Sequence, residues 1–182
     1  MTKAVALLLL LAAPTACMDP GHDDDVKALG TETPGVPEGP LHRPGQPCLV
    51  CHGGDGPANT EFSLAGTVYL LQEQEVPAEN AVVTVEDVSG VAGSVPTNAA
   101  GSFWVNADTW RPTYPLKVRV KYTTVTAVMN GTVGRAGSCA DCHQNVVSAA
   151  SAGSTEQKTA TQTSAGHIYI ARSQSQLGTA SP

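Results

Sequence analysis

The pentapeptide Cys-X-X-Cys-His occurs twice, as Cys48-Leu49-Val50-Cys51-His52 and as Cys139-Ala140-Asp141-Cys142-His143. That spacing is the one used for covalent attachment of c-type haem. Two thiols add across the haem vinyl groups and become thioethers, and the adjoining histidine is held under the iron. The two copies consume four of the five cysteines and two of the five histidines in the 182-residue chain. Cys48, Cys51, Cys139 and Cys142 are therefore expected to attach two haem c groups, with His52 and His143 as proximal iron ligands. Other chemistry shares the cysteine pairs: a redox dithiol, half of a zinc site, or a disulfide. A zinc ribbon separates its knuckles by roughly 15–20 residues, whereas a long strand-rich segment lies between these. Neither the zinc site nor the redox dithiol explains why a histidine follows the second cysteine both times.

Each iron can take a sixth ligand, and its identity moves the potential. The candidates are His42, Met129 and His167. His42 stands just before the first motif, Met129 follows the last clear strand, and His167 precedes a short apolar run. The bland readings are a solvated loop histidine, a gap-filling core methionine and a strand-flanking histidine. His22 and Met18 fall in a polar segment and are set aside. Trp104 and Trp110 read either as lining for a haem edge or as part of a β core.

The elements that must hold these groups are strands. Phe62, Leu64, Val68 and Leu70 approximate a period of two, Val83 and Val85 alternate with Thr84 and Glu86, and Val118, Val120 and Tyr122 alternate with Lys117, Arg119 and Lys121. Such alternation marks half-buried strands. Turn signals at Pro77, Ser89-Gly90, Asn98 to Gly101 and Pro112 to Pro115 separate the runs. The expected fold is mainly β, a small antiparallel sandwich flanked by two loop or short-helix haem-attachment segments. The expected organisation is a signal peptide over 1–16, a flexible acidic Pro/Gly tether over 17–45, a first haem segment over 46–61, the sandwich over 62–129 and a second haem segment over 130–147. Residues 148–182 complete it as a Ser/Thr/Ala-rich loop, a final short strand near Ile168 and a polar tail.

The N-terminal end reads as targeting. Lys3 followed by the apolar run from Ala4 to Ala13 is a signal segment, too short to span a bilayer as a mature helix. Pro14-Thr15-Ala16-Cys17 resembles the lipobox of bacterial lipoproteins, with Pro14 where an aliphatic residue is usual. The resemblance implies lipidation of Cys17, hence an exported chain anchored on a membrane. Cleavage near Ala16 with Cys17 left as a free thiol is the alternative. Export places the cysteines in an oxidising compartment, where pairs without haem tend towards disulfides.

Gly66-Thr67-Val68-Tyr69, Ala81 to Asp87 and Thr97-Asn98-Ala99-Ala100-Gly101-Ser102-Phe103 together resemble the carboxypeptidase regulatory-like, prealbumin-like β-sandwich family. Asn98 stands where that family carries Asp. The resemblance covers roughly seventy residues and implies a fold, not an activity. The order of haem motif, sandwich, methionine, second motif and Gly-X-Ile-Tyr resembles bacterial exported cytochromes with a sandwich between two haem motifs.

The net charge of −6 and a sequence pI near 5.2 argue against nucleic acid as a partner. No Gly-rich phosphate loop, paired-carboxylate signature or serine-nucleophile motif is present. The expectation is a one-electron carrier that converts no substrate and meets redox proteins as partners. The rivals are a cell-surface binding or structural module whose Cys pairs form disulfides or hold a metal, and a dihaem peroxidase with one open iron.

Overall fold

The computed structural model describes residues 20–32, 34–72, 74–144 and 164–177. The signal segment, Cys17, Met18, most of the Ser/Thr-rich loop and the last five residues lie outside the described residues. Among the described residues eight strands form two sheets, and the fold is mainly β as expected. The first sheet is built on β1 (Phe62–Leu71), which pairs antiparallel with β2 (Gln74–Pro77) and β5 (Ser102–Asn106). It also pairs in parallel with β8 (Ile168–Ala171). The second sheet runs β4-β3-β6-β7, with β3 Val82–Glu86, β4 Ala92–Pro96, β6 Lys117–Tyr122 and β7 Val125–Val128.

Alternation explains why these sheets meet. Val83 and Val85 of β3 and Val120 of β6 are buried, and so are Leu64, Val68 and Leu70 of β1 and Phe103 of β5. These residues form one apolar core, since successive strand residues point to opposite faces. Lys117, Arg119 and Lys121 stay in solvent. β1 departs from the alternating pattern and is buried on both faces from Leu64 onward. Its other face, carrying Thr67 and Tyr69, is covered by chain from the N-terminal side: the Gly45 N–H donates to Thr67 Oγ1 at 2.8 Å.

Residues 20–45, read from composition as a tether, carry α1 (Pro20–Ala28). Arg43 and Asn98 also tie this segment down by hydrogen bonds, to Gly30 O and to Pro40 O. Two side chains organise the turns of the sandwich. Asn98 Oδ1 accepts from the Ala100 and Ser102 N–H groups at 2.9 and 3.0 Å. Asp87, buried, accepts from the N–H groups of Ser89, Val91 and Thr113. Gly101, with φ +73°, closes the Asn98 turn, and a Cβ there would stand 2.2 Å from Val68 O. Among the described residues no helix is long and apolar enough to cross a membrane.

Candidate haem-attachment sites

The first motif is itself a helix, α2 (Cys48–His52). A helical turn places residues i, i+3 and i+4 on one face, so Cys48, Cys51 and His52 project together. The second motif does the same with a 3₁₀ turn, Cys139–Asp141, extended when the His143 N–H donates to Cys139 O at 2.9 Å. In both motifs the two sulfurs and the ring line one hollow. The first hollow, about 690 Å³, adds His42, Phe62 and Trp104 to Cys48, Cys51 and His52. The second, about 580 Å³, sets Val118, Val120 and Met129 around Cys139, Cys142 and His143. Both volumes fall in the range of roughly 300–1,000 Å³ typical of small-molecule and cofactor sites.

The sandwich sets the relation between the two. Phe103, buried in β5, lines both hollows. Its strand neighbour Trp104 lines only the first, beside Phe62, whose ring is 5.6 Å from that of Trp104. The second motif is fastened to β1, where the Ala65 N–H donates to Gly137 O at 2.9 Å and Ala65 forms a parallel bridge with Ser138. Cys139 lies against Gly66. Cys48 is near enough to raise the pKa of Cys139, and Cys51 and Asp141 add to that of Cys48. Burial is the larger cause, pushing Cys48 up to about 11 and Cys139 up to about 12. Both are thiols at neutral pH, and all four motif cysteines are free. Among the described residues no three His, Cys, Asp or Glu side chains group to hold a metal ion by themselves.

Each motif histidine has its Nδ1 against a backbone carbonyl. His52 Nδ1 is 2.8 Å from Thr60 O, and His143 Nδ1 is 2.9 Å from Gly166 O. A carbonyl only accepts, so Nδ1 must carry the proton and Nε2 keeps a free lone pair. A carbonyl that holds Nδ1 in this way orients a histidine to bind a metal through Nε2. Phe62 stacks on His52 with centroids 4.1 Å apart and rings 7° from parallel. A bound haem would fit this donor set: two sulfurs and one pre-oriented imidazole per hollow.

The distal candidates divide between the hollows. His42 is brought to His52, with ring centroids 5.9 Å apart and 16° from parallel. Met129 and His167 share the second hollow with His143. His167 is buried and stacked on Tyr69 at 4.7 Å, and its Nδ1 is 3.3 Å from a carboxylate oxygen of Glu75. Desolvation lowers the His167 pKa, against a smaller upward pull from Glu75. The Tyr69 phenol is pushed up to about 12, mainly by burial. Trp110 stands apart from both hollows and packs over Gly93 in the sandwich. His22 opens on a third hollow behind the motifs, beside Leu49, Val50 and Ser138. His22 lines neither of the two motif hollows.

Three contributors escaped the sequence reading: the carbonyls of Thr60 and Gly166, the Phe62 ring as a platform for His52, and the bare backbone of Gly66 under Cys139. Only Gly66 and Phe62 left any trace in residue type, as a glycine interrupting a strand and an aromatic opening it. A scan against protein-family models found no match, and searches of curated proteins and of solved structures found none.

Proposed function

We propose that the chain is an exported, lipid-anchored dihaem c-type cytochrome that carries single electrons. The observation that carries this reading is the shared geometry of the motifs. In both, two sulfurs and a histidine with its Nδ1 held by a carbonyl open on one hollow of cofactor size. Haem bound there would supply the ferric/ferrous couple. Cys48 and Cys51, or Cys139 and Cys142, hold it by thioethers. His52 and His143 would present Nε2 to an iron held there, and Thr60 O and Gly166 O keep the two rings from turning. Val118, Val120 and Phe103 exclude water from the second hollow and so favour the less charged state of the site. Phe103 lines both hollows and Cys48 lies near Cys139, which supports electron exchange between two haems held there.

A module built on disulfides gives the two histidine–carbonyl contacts no role. The acidic chain would meet basic redox proteins, in encounters that weaken with salt. Spectroelectrochemistry on matured protein tests the carrier reading. It predicts reversible reduction and reoxidation at both sites without consumption of any substrate. Irreversible loss of the signal, or steady turnover of hydrogen peroxide, would contradict it and favour the peroxidase.

A further inference from the structure

The chain that covers the first hollow is latched by one side chain. The Arg43 guanidinium donates to Leu29 O at 3.3 Å, Gly30 O at 2.8 Å, Glu32 Oε1 at 3.3 Å and Gln46 Oε1 at 3.0 Å. One planar fork thus gathers the end of α1, the loop after it and the approach to the first motif. Arg43 holds a left-handed backbone, φ 50°, which persists in a non-glycine residue only when its surroundings enforce it. His42 is the residue before it. On either side the strap is pinned to the sandwich, by the Asn98 side-chain N–H to Pro40 O at 2.5 Å and by the Gly45 N–H to Thr67 Oγ1 at 2.8 Å. The latch and the two pins fix where the His42 ring stands above His52.

The two rings differ in the hydrogen bond at Nδ1. His52 Nδ1 donates to a carbonyl, so its Nε2 is free to bind metal. His42 Nδ1 instead accepts the Gly39 N–H at 3.2 Å. That bond puts the ring proton of a neutral His42 on Nε2. To ligate an iron through Nε2, His42 must move its proton to Nδ1 and release Gly39. It therefore has two competing partners, while His52 has none.

We propose, resting on the dihaem reading, that the first site is a gated ligand site: His42 is its displaceable sixth ligand, and the Arg43 latch sets whether that position is closed or open to a small diatomic ligand of haem iron. In the latched strap His42 also accepts the Gly39 N–H, so the latch keeps the ring near His52, where an iron would win it from Gly39 and the position would close. In a loosened strap only the local Gly39 bond is left and the position opens. The second site lacks this device, since His143 shares its hollow with Met129 and with a His167 engaged by Tyr69 and Glu75.

The test uses the full chain matured with both haems, with carbon monoxide added to the dithionite-reduced protein and binding read from the Soret band. His42→Ala and Arg43→Gln are each expected to raise carbon monoxide uptake by about one equivalent per chain over the unaltered protein. Glu32→Gln, a milder break of the same latch at a partly exposed residue, is expected to raise the rate of uptake. Arg111→Gln, which breaks a surface ion pair with Glu61, is expected to change neither. Unchanged uptake in His42→Ala overturns the ligand assignment. A gain in His42→Ala with unchanged uptake and rate in both Arg43→Gln and Glu32→Gln overturns the latch. Intact mass separates the levels: a chain without haem overturns the dihaem reading and the gate with it, whereas two haems with unchanged uptake overturn the gate alone.

Discussion

Cys139 rests directly on Gly66: a Cβ at position 66 would stand 2.8 Å from Cys139 Cβ and 3.0 Å from its Sγ, with Phe103 Cε1 also at 3.0 Å. A glycine inside a strand gives up roughly 0.5–1 kcal/mol relative to alanine. At this position the close approach of the second motif outweighs that gain. Gly66→Ala is expected to lower stability by about 1–3 kcal/mol, the usual cost of overpacking a core, and to reduce haem attachment at the second motif more than at the first. Urea unfolding and intact mass check both. A stabilised variant that still carries haem on Cys139 would show that the approach is looser than described.

Burial orders the reactivity of the cysteines in the haem-free folded chain. Cys139 is a high-pKa thiol packed against the core, Cys48 is similarly raised, and Cys142 is exposed. Thiolate is the reacting form in alkylation. Iodoacetamide near pH 8 should modify Cys142 first, and Cys139 should react only when urea opens the fold. Peptide mass mapping reads the order. Labelling of Cys139 as fast as Cys142 under native conditions would contradict it.

The buried Asp87 carboxylate should matter to stability. Its carboxylate takes three backbone N–H groups, from Ser89 at 2.8 Å, Val91 at 3.0 Å and Thr113 at 3.2 Å. Asp87→Ala leaves those donors short of partners, at a cost of about 2–3 kcal/mol. Asp87→Asn keeps an acceptor and should lose less. Chemical denaturation of the two variants side by side reads the difference.

His167 gives the haem-free fold an acid-sensitive limb. Its folded pKa is lowered, chiefly by burial, from an unfolded value of about 6.5. Below that value the unfolded chain binds a proton that the folded chain resists. The contribution is thus fully present above about pH 6.5 and is lost as pH falls through the lowered folded value. His167→Phe should flatten stability against pH across that window, and thermal melts at several pH values check it.

The strands were legible where burial is one-sided. Val83, Val85 and Val120 alternate with exposed partners, so period two reads directly from the sequence. β8 was expected near Ile168, but its parallel pairing with β1 depends on a partner a hundred residues away. β4, Ala92–Pro96, has too little apolar pattern to announce itself. The helix over Pro20–Ala28 is polar all round, so its hydrophobic pattern is blank, although Pro20 at its start, Asp23 early and Lys27 late are proper end signals. The motif residues were legible because their spacing is local. The division of His42 from Met129 and His167 between two hollows was not, because the fold of the sandwich decides which wall each one joins.

The central claim is that both Cys-X-X-Cys-His segments carry haem. The most direct measurement is a pyridine haemochrome spectrum with intact mass, on full-length protein expressed in a host that matures c-type cytochromes. A c-type α band and a mass gain of two haems are expected, falling to one when Cys48 and Cys51, or Cys139 and Cys142, are replaced by alanine. A chain without a haem band, its mass showing two disulfides or a bound metal, would contradict it.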